Sequence, residues 1–173
     1  MDAIQAMLTR KSVKKYKDTP VPRALIEQVI EAGLHAPSGL NKQAAIILAV
    51  TNKEVRDELS LVNAGADPFH RADPFYGAPA VLIVLYDKSV RTGIYDASLV
   101  MGNLMLAAEA LGLGSCWIHR AKEEFESEYG KSLLSSLGIV GEYEGVGHCI
   151  VGYADGEKPQ AKPRKENWAY YIR

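Results

Sequence analysis

The chain has few of the residues that build metal centres and disulfide scaffolds. Its 173 residues include two cysteines, Cys116 and Cys149, and four histidines. The histidines are widely spaced, at His35, His70, His119 and His148. Because no CxxC or HxxxH spacing occurs, the sequence predicts no metal site. Each cysteine lies alone in an apolar run, which is typical of a buried thiol in a reducing compartment.

The chain also lacks an excess of one charge and a long apolar run. Its formal net charge is −1, whereas nucleic-acid-binding domains are usually strongly basic, so we expect no nucleic-acid partner. The N-terminus carries Asp2 and no long apolar stretch, which argues against a secretory leader and for a cytoplasmic location. The most apolar segment, residues 95–111, is too short and too often interrupted by polar residues to predict a membrane span.

Motifs for nucleotide binding and covalent catalysis are absent as well. There is no Walker lysine loop and no GxSxG elbow, and nothing marks Cys116 or Cys149 as a nucleophile. The GLG at 112–114 follows a predicted helix, which is the wrong place for a GxGxxG fingerprint. An enzyme with this sequence is therefore expected to take its reactivity from a bound cofactor.

What the chain does contain is the composition and pattern of one globular domain over residues 1–173. Hydrophobic residues make up 47% and charged residues 24%, as in soluble proteins, and this length supports one core. Apolar periodicity predicts helices over 2–9, 23–36, 53–62, 95–111 and 123–138, and strands over 44–50, 80–87, 115–119 and 145–153. Residues 63–78, rich in Gly, Pro and Asp, predict a long loop.

The helix predicted over 95–111 is apolar on nearly every side. Such a helix must be buried all round. Either a second subunit covers one side, which would make the protein a dimer, or the chain wraps the helix by itself. The sequence pattern leaves both alternatives open.

Two basic clusters lie at opposite ends of the chain. RKSVKKYK at 10–17 supplies Arg10, Lys11, Ser12 and Lys14, and KPRK at 162–165 supplies Lys162 and Arg164. If folding brings them together, they could bind one phosphate group, since Arg offers a planar fork and Lys a mobile charge. The alternative is that both are solvated surface charges.

A polar loop, HAPSGLNKQ at 35–43, joins a predicted helix to a predicted strand. Pro37 fixes the turn, Ser38 leaves the backbone accessible, and Asn41 and Gln43 offer amide donors and acceptors. Such groups can bind the edge of a planar heterocycle. The alternative is an ordinary turn at the end of a helix.

Taken in order, these segments resemble the nitroreductase family of FMN-dependent oxidoreductases. The matching segments are RKSVKKY, HAPSGLNKQ, APAVLIVL, ALGLGSCWIH, GVGHCIVGY and the KPRK tail. The resemblance implies an α+β fold with a central mixed, mainly antiparallel sheet flanked by helices. It also implies an intertwined homodimer with FMN at the subunit interface, and a C-terminal tail, about 155–173, that extends over the partner.

The resemblance assigns cofactor-binding roles residue by residue, and it assigns no catalytic side chain. It implies that the FMN phosphate and ribityl chain are bound by Arg10, Lys11, Ser12 and Lys14, together with Lys162 and Arg164. It also implies that the isoalloxazine ring is contacted by Pro37, Ser38, Asn41 and Gln43 of the other subunit, and by the main chain at Ile118 and His119. Many relatives have a proline and an aromatic residue where this chain has Ala44 and Ala45, so the pocket rim is expected to differ.

The implied reaction carries electrons from NADH or NADPH to a small acceptor such as a nitroaromatic or a quinone. One pocket serving two ligands in turn implies ping-pong kinetics. Alternatives that stay open are a flavin-cleaving or dehalogenating enzyme of the same fold, a non-enzymatic flavin-binding protein, and an α/β nucleotide-binding module without flavin.

Overall fold

The computed structural model describes residues 1–65, 69 and 71–173, which form an α+β domain. The helices are α1 (Ala3–Thr9), α2 (Arg23–Leu34), α3 (Lys53–Gly65), α4 (Gly93–Ala110), α5 (Ala121–Glu126) and α6 (Glu128–Ser136), with a short 3-10 turn at Gly39–Asn41. The strands are β1 (Ala45–Val50), β2 (Ala80–Asp87), β3 (Gly114–Ile118) and β4 (Tyr143–Gly152). His70 and part of the predicted loop 63–78 lie outside the described residues.

The four strands form one antiparallel sheet in the order β1-β2-β4-β3. Ile83 of β2 lies opposite His148 of β4, and Trp117 of β3 lies opposite Cys149. Within the described part of the chain, the mixed character predicted for the sheet is confined to one parallel bridge, between Ser12 and Ser115.

Strand β2 lies in the middle of the molecule, with both of its faces buried. Its residues from Val81 to Leu85 are fully buried, as expected for a strand that reads as an uninterrupted apolar run. One face packs with side chains of α3, α5 and α6, and the other with α2 and α4. Helices therefore flank the sheet on both sides, as predicted.

Helix α4 is covered by its own chain on one side only. Met101 and Leu104 are fully buried, whereas Ile94, Tyr95 and Leu99 are 44%, 71% and 49% exposed. A single copy of the chain thus leaves an apolar face of this helix in contact with solvent. No helix in the described ranges has the length and apolar character needed to cross a bilayer.

Helix α3 is longer than its sequence pattern indicates. It continues to Gly65, three residues into the predicted loop. The last turn holds Asn63, which is fully buried and hydrogen-bonded to residues after β3, so tertiary contacts extend the helix beyond its apolar pattern. Strand β3 ends one residue earlier than predicted, which leaves His119 outside the sheet.

The C-terminal tail leaves the domain after β4. From Gly156 to Arg173 every residue is exposed, and no helix or strand forms. The exposed residues include Trp168, Tyr170 and Tyr171 at 74%, 84% and 86%. Exposed aromatic residues at this density are unusual for a surface that stays in water.

Candidate functional site

The N-terminal basic segment, residues 10–17, lies along the edge of the sheet. Val13 N donates to Ser115 O at 3.0 Å, and Lys17 N donates to Tyr153 O at 2.9 Å. The Val13 and Tyr16 side chains are buried in the core, which anchors the segment. Ser12 and Lys14, on either side of Val13, are exposed. The apolar residues of the segment therefore hold its polar residues at the surface.

The cations of this segment differ in whether they already have partners. Lys11 Nζ donates to Leu8 O at 3.1 Å, at the end of α1, and Lys15 pairs with Asp155 at 2.6 Å. Arg10 and Lys14 have no carboxylate partner in the part of the chain that the structure describes. Lys14 Nζ lies 5.7 Å from the centroid of the Tyr76 ring.

The Cys116 thiol lies directly behind these groups. Burial raises its pKa above the ordinary value, while the Ser12 hydroxyl and the charges of Lys14 and Arg10 act in the opposite direction. The thiol therefore stays protonated near neutral pH, in agreement with the absence of a nucleophile motif. Arg10, Ser12 and Lys14 are thus all near enough to Cys116 to act on its pKa.

A surface cavity of about 270 Å³ separates the basic segment from the beginning of the tail. Its lining is Ser12, Val13, Lys14, Lys15, Ala154, Asp155, Gly156, Glu157, Lys158 and Pro159. Asp155 N donates to Lys15 O at 3.0 Å. The tail therefore starts beside the N-terminal cluster, although Lys162 and Arg164 themselves lie farther along its exposed part.

Buried Glu109 of α4 links the two termini. Its Oε2 accepts a hydrogen bond from Lys158 Nζ at 2.7 Å, and its Oε1 accepts one from Thr9 Oγ1 at 3.0 Å. Thr9 immediately precedes Arg10, and Lys158 lies near the start of the tail, four residues before Lys162. One carboxylate thus connects the N-terminal basic segment with the first part of the tail.

The loop at 35–43 is tied to α4 instead of ending α2 as a simple turn. Gly39 N donates to Asp96 Oδ1 at 3.0 Å, and a Cβ at Gly39 would come within 2.6 Å of Thr92 Oγ1. Gln43 N donates to Ser38 Oγ at 3.1 Å, and Gln43 Nε2 donates to Asn41 Oδ1 at 3.1 Å.

The same loop holds three non-glycine residues in the left-handed region. These are Leu40, Asn41 and Gln43, with φ of 51°, 55° and 50°. Each such conformation is costly, and clusters of them are characteristic of ligand sites. The cavity of about 170 Å³ beside Pro37 and Ser38 includes no residue of the basic segment. Within one chain, the loop and the basic cluster thus line separate cavities.

The segment after β3 combines a buried and an exposed residue. Ile118 is buried at the end of the strand, and His119 is exposed, with its ring 5.9 Å from that of Trp117. The next residue, Arg120, has a φ of 75°. The peptide groups at 118–120 thus leave the sheet in an unusual conformation.

The sequence does not predict the burial of three polar residues behind this segment. They are Asn63, Glu124 and His148, each at most 2% exposed. Only His148 carries a local signal, since it interrupts the apolar run of β4. Asn63 falls in a predicted loop and Glu124 in a charged helix, where local patterns predict exposure.

The comparison with known families agrees with this geometry. The model of the nitroreductase family matches residues 7–66 and 62–153, which includes the basic segment, the 35–43 loop and the sheet. The chain belongs to the nitroreductase family. The segment after β3 also lies within the matched residues.

The relatives that the chain resembles are longer than the matched regions. An FMN reductase [NAD(P)H] of Bacillus subtilis is 31% identical over 131 residues, which cover 66% of this chain and 52% of that protein. An NADPH-flavin oxidoreductase of Vibrio harveyi is 28% identical, over 94% of this chain and 70% of that protein. A relative from Methanothermobacter thermautotrophicus is 31% identical, over 68% of this chain and 60% of its own length.

Solved structures show the same fold over the whole chain. A nitroreductase with bound FMN from Bacteroides fragilis has a TM-score of 0.87 at 24% identity, with full coverage of both chains. One from Desulfitobacterium hafniense, also with bound FMN, has a TM-score of 0.88 at 24% identity, with 99% and 100% coverage. An iodotyrosine deiodinase bound to FMN and 3-iodo-L-tyrosine reaches 0.80 at 23%, with 99% and 100% coverage. These similarities establish the architecture.

Proposed function

We propose that this protein is an FMN-dependent oxidoreductase that passes electrons from NADH or NADPH to a small nitroaromatic- or quinone-like acceptor. The observation that carries the proposal is the unpaired cationic site formed by Arg10, Ser12 and Lys14 on the sheet edge. The resemblance to the family assigns the cofactor phosphate to this segment, and the sequence has no other recognisable catalytic motif. Relatives named as flavin and FMN reductases support the same reaction class.

The basic segment fits a phosphate dianion. Among the described residues Arg10 and Lys14 form no ion pair, so their charges can bind a ligand, and Ser12 supplies a hydroxyl donor. Lys11 already donates a hydrogen bond to the end of α1, so we expect it to contribute less than Arg10 and Lys14 to phosphate binding. Glu109 brings the start of the tail to the same place, which lets Lys162 and Arg164 reach the phosphate from the far end of the chain.

We also propose that the protein is a homodimer. The uncovered face of α4 and the exposed aromatic tail are two apolar surfaces of one chain, and a second copy can cover both. In such a dimer the strained loop of one subunit, with Pro37, Ser38, Asn41 and Gln43, would complete the ring pocket of the other. The two separate cavities of the single chain would then become parts of one site.

Bound FMN would supply the hydride and electron chemistry, and the chain's residues would position it. Main-chain groups at Ile118 and His119 would face the ring. No side-chain acid or base is needed, because water can supply the remaining proton, and no catalytic residue is assigned. A single pocket open to both donor and acceptor would give ping-pong kinetics. The unpaired Cys116 and Cys149 agree with the reducing environment expected of the cytoplasm.

The test is a pair of charge-matched double variants. Arg10→Ala with Arg164→Ala should weaken FMN binding at least about hundredfold, because each charge-assisted hydrogen bond contributes about 1.5–3 kcal/mol. Arg23→Ala with Arg173→Ala removes the same charge, also one residue from the folded domain and one from the tail, and should leave binding unchanged. FMN affinity is read by fluorescence quenching, and unchanged affinity in the first variant would refute the phosphate assignment.

Reduction of the bound flavin then separates the alternatives. Stopped-flow mixing with NADH or NADPH should bleach the flavin absorbance, and an acceptor should restore it. A flavin that resists both nucleotides would favour a flavin-cleaving or dehalogenating enzyme. If the flavin is reduced but no quinone is turned over, the result would favour a non-enzymatic flavin-binding protein. If the wild-type protein binds no flavin, the remaining alternative is an α/β nucleotide-binding module.

A further inference from the structure

A cluster of buried polar side chains lies behind the segment that follows β3. Asn63 of α3, Glu124 of α5 and His148 of β4 are 0%, 2% and 0% exposed. We call these three residues the buried polar cluster. Three elements that are distant in sequence each contribute one member, so its presence is a property of the tertiary fold.

The cluster contacts two successive main-chain carbonyl groups from the core side. Asn63 Nδ2 donates to His119 O at 3.0 Å, and His148 Nδ1 lies 3.3 Å from Ile118 O. Since a carbonyl oxygen can only accept, His148 Nδ1 carries the proton in this contact. Both carbonyls are therefore drawn toward the interior.

Drawing the carbonyls inward sets the direction of the rest of the segment. In a trans peptide the N–H points opposite to the C=O of the same plane, and the described peptide bonds are all trans. The N–H of His119, in the same plane as Ile118 O, therefore points away from the cluster. The outer side of the segment is the side that the proposed cofactor ring would face.

Asn63 also supports the strained backbone at Arg120. Arg120 has a φ of 75°, and its Nη2 and Nε donate to Asn63 Oδ1 at 2.7 and 3.2 Å. Because a left-handed conformation is unfavourable for arginine, it persists only where neighbouring contacts hold it. The Asn63 amide uses its oxygen for Arg120 and its nitrogen for His119 and Glu124.

Glu124 and His148 support Asn63 from behind. Glu124 Oε2 lies 3.2 Å from Asn63 Nδ2 and 2.9 Å from His148 Nε2. The two side chains thus meet in the interior, at the point where Glu124 also contacts Asn63. Among the residues described, Glu124 Oε1 and His148 Nε2 make no well-aligned hydrogen bond despite the short Nε2–Oε2 distance. Buried polar atoms without a hydrogen bond are rare in folded proteins, and each needs an explanation.

We infer that Asn63 is a positioning residue of the cofactor site, with Glu124 and His148 as its support. Its amide holds the His119 carbonyl inward and the Arg120 backbone in place, so that the outer side of residues 118–120 is presented to the flavin ring. This inference rests on the proposed FMN function. It assigns a role to residues that touch neither cofactor nor substrate.

The test replaces the donor of Asn63 without changing its shape. Asn63→Asp keeps an oxygen for Arg120 but places a carboxylate oxygen against His119 O and Glu124 Oε2. We expect the FMN dissociation constant to rise about three- to tenfold, with a shift in the flavin midpoint potential and absorption band. Asn103→Asp is the matched control, because Asn103 Nδ2 donates to the Ala32 carbonyl at 3.0 Å, and it should leave all three flavin properties unchanged.

A double variant separates positioning from folding. In Asn63→Asp with Glu124→Gln, the glutamine amide can donate to the new carboxylate and removes the like-charge repulsion, so the fold should be restored. His119 O still lacks its donor, so the flavin properties should stay altered. If the double variant regains the wild-type affinity and potential, Asn63 acts only through stability and the inference is wrong.

Hydrogen exchange of the flavin-free protein distinguishes the two proposals. The backbone amides of residues 118–121 should exchange faster in the double variant than in Asn103→Asp. This measurement requires no cofactor. If wild-type protein binds no FMN, the proposed function fails, while faster exchange would still show that Asn63 holds the segment. If wild-type protein binds FMN but exchange and flavin properties match the control, only the positioning role is overturned.

Discussion

The two ends of the chain are both basic, but they differ in how much they contact the rest of the chain. Residues 10–17 are fixed to the sheet edge by Val13 and Tyr16, which point into the core. The tail from Gly156 onward is exposed throughout, although its last residues include Trp168, Tyr170, Tyr171 and Ile172. The first needs only its own chain to be placed. The second has apolar side chains suited to burial and no surface of its own chain against them, so we expect it to be placed by a second copy.

The largest expected effects come from one charged substitution at each end. Val13→Asp should lower the free energy of unfolding by about 3–5 kcal/mol, because an unpaired charge would enter the core. Ile172→Asp, at a fully exposed position, should leave the unfolding of the dissociated chain unchanged and weaken association between subunits. Chemical denaturation measures the first quantity and sedimentation velocity the second. If Ile172→Asp lowers the free energy of unfolding at every protein concentration, the tail packs on its own chain and the proposed difference between the two ends is wrong.

A smaller effect is expected where the two ends are tied together. Glu109→Gln removes the charge that attracts Lys158 but keeps an oxygen for Thr9, so the start of the tail should loosen while α1 stays in place. We expect FMN affinity to fall about three- to tenfold. Thr9→Val is the complementary control, since it loosens only the N-terminal side. Equal loss in both variants would mean that Glu109 stabilises the domain without a special role for the tail.

The smallest effect concerns the exposed ion pair between Lys15 and Asp155. The hydrogen bond from Lys15 lowers the pKa of Asp155 below its ordinary value. Because the pKa of Asp155 is lower in the folded protein, its ionised form stabilises the fold at pH values above the unfolded-state pKa. This stabilisation is lost as the pH falls through the folded-state pKa. Asp155→Asn should therefore be slightly less stable than wild type near pH 7. The stabilities of the two proteins should begin to converge as the pH falls below about 4 and should coincide below the folded pKa of Asp155. A difference that does not shrink over this range would exclude the ion pair as its cause.

Much of the architecture is readable from local patterns. The uninterrupted apolar run of β2 predicts a strand buried on both faces, and the structure confirms it. The predicted helix at 95–111 is confirmed as α4, and its uncovered face shows that the single chain does not bury it all round. The residues of the polar loop at 35–43 leave open whether it is an ordinary turn, whereas its left-handed backbone and its bond to Asp96 are visible only in the structure.

The parts of the site that escape prediction are polar residues in tertiary contacts. Asn63 and Glu124 lie in stretches where the local pattern predicts solvent exposure, and their burial depends on α3 and α5 packing over the end of β3. The same packing extends α3 by three residues beyond its pattern. Periodicity reports which residues avoid water, and it does not report which polar groups find partners in the interior.

The sequence by itself determined the strands, most of the helices and the positions of the two basic clusters, because apolar spacing and charge are local properties of the chain. Only the tertiary structure decided that Glu109 joins the starts of both termini and that Asn63 supports the segment after β3. Those contacts join residues 49 to 100 positions apart. Their energy exists only once the helices pack on the sheet and water is excluded from between them.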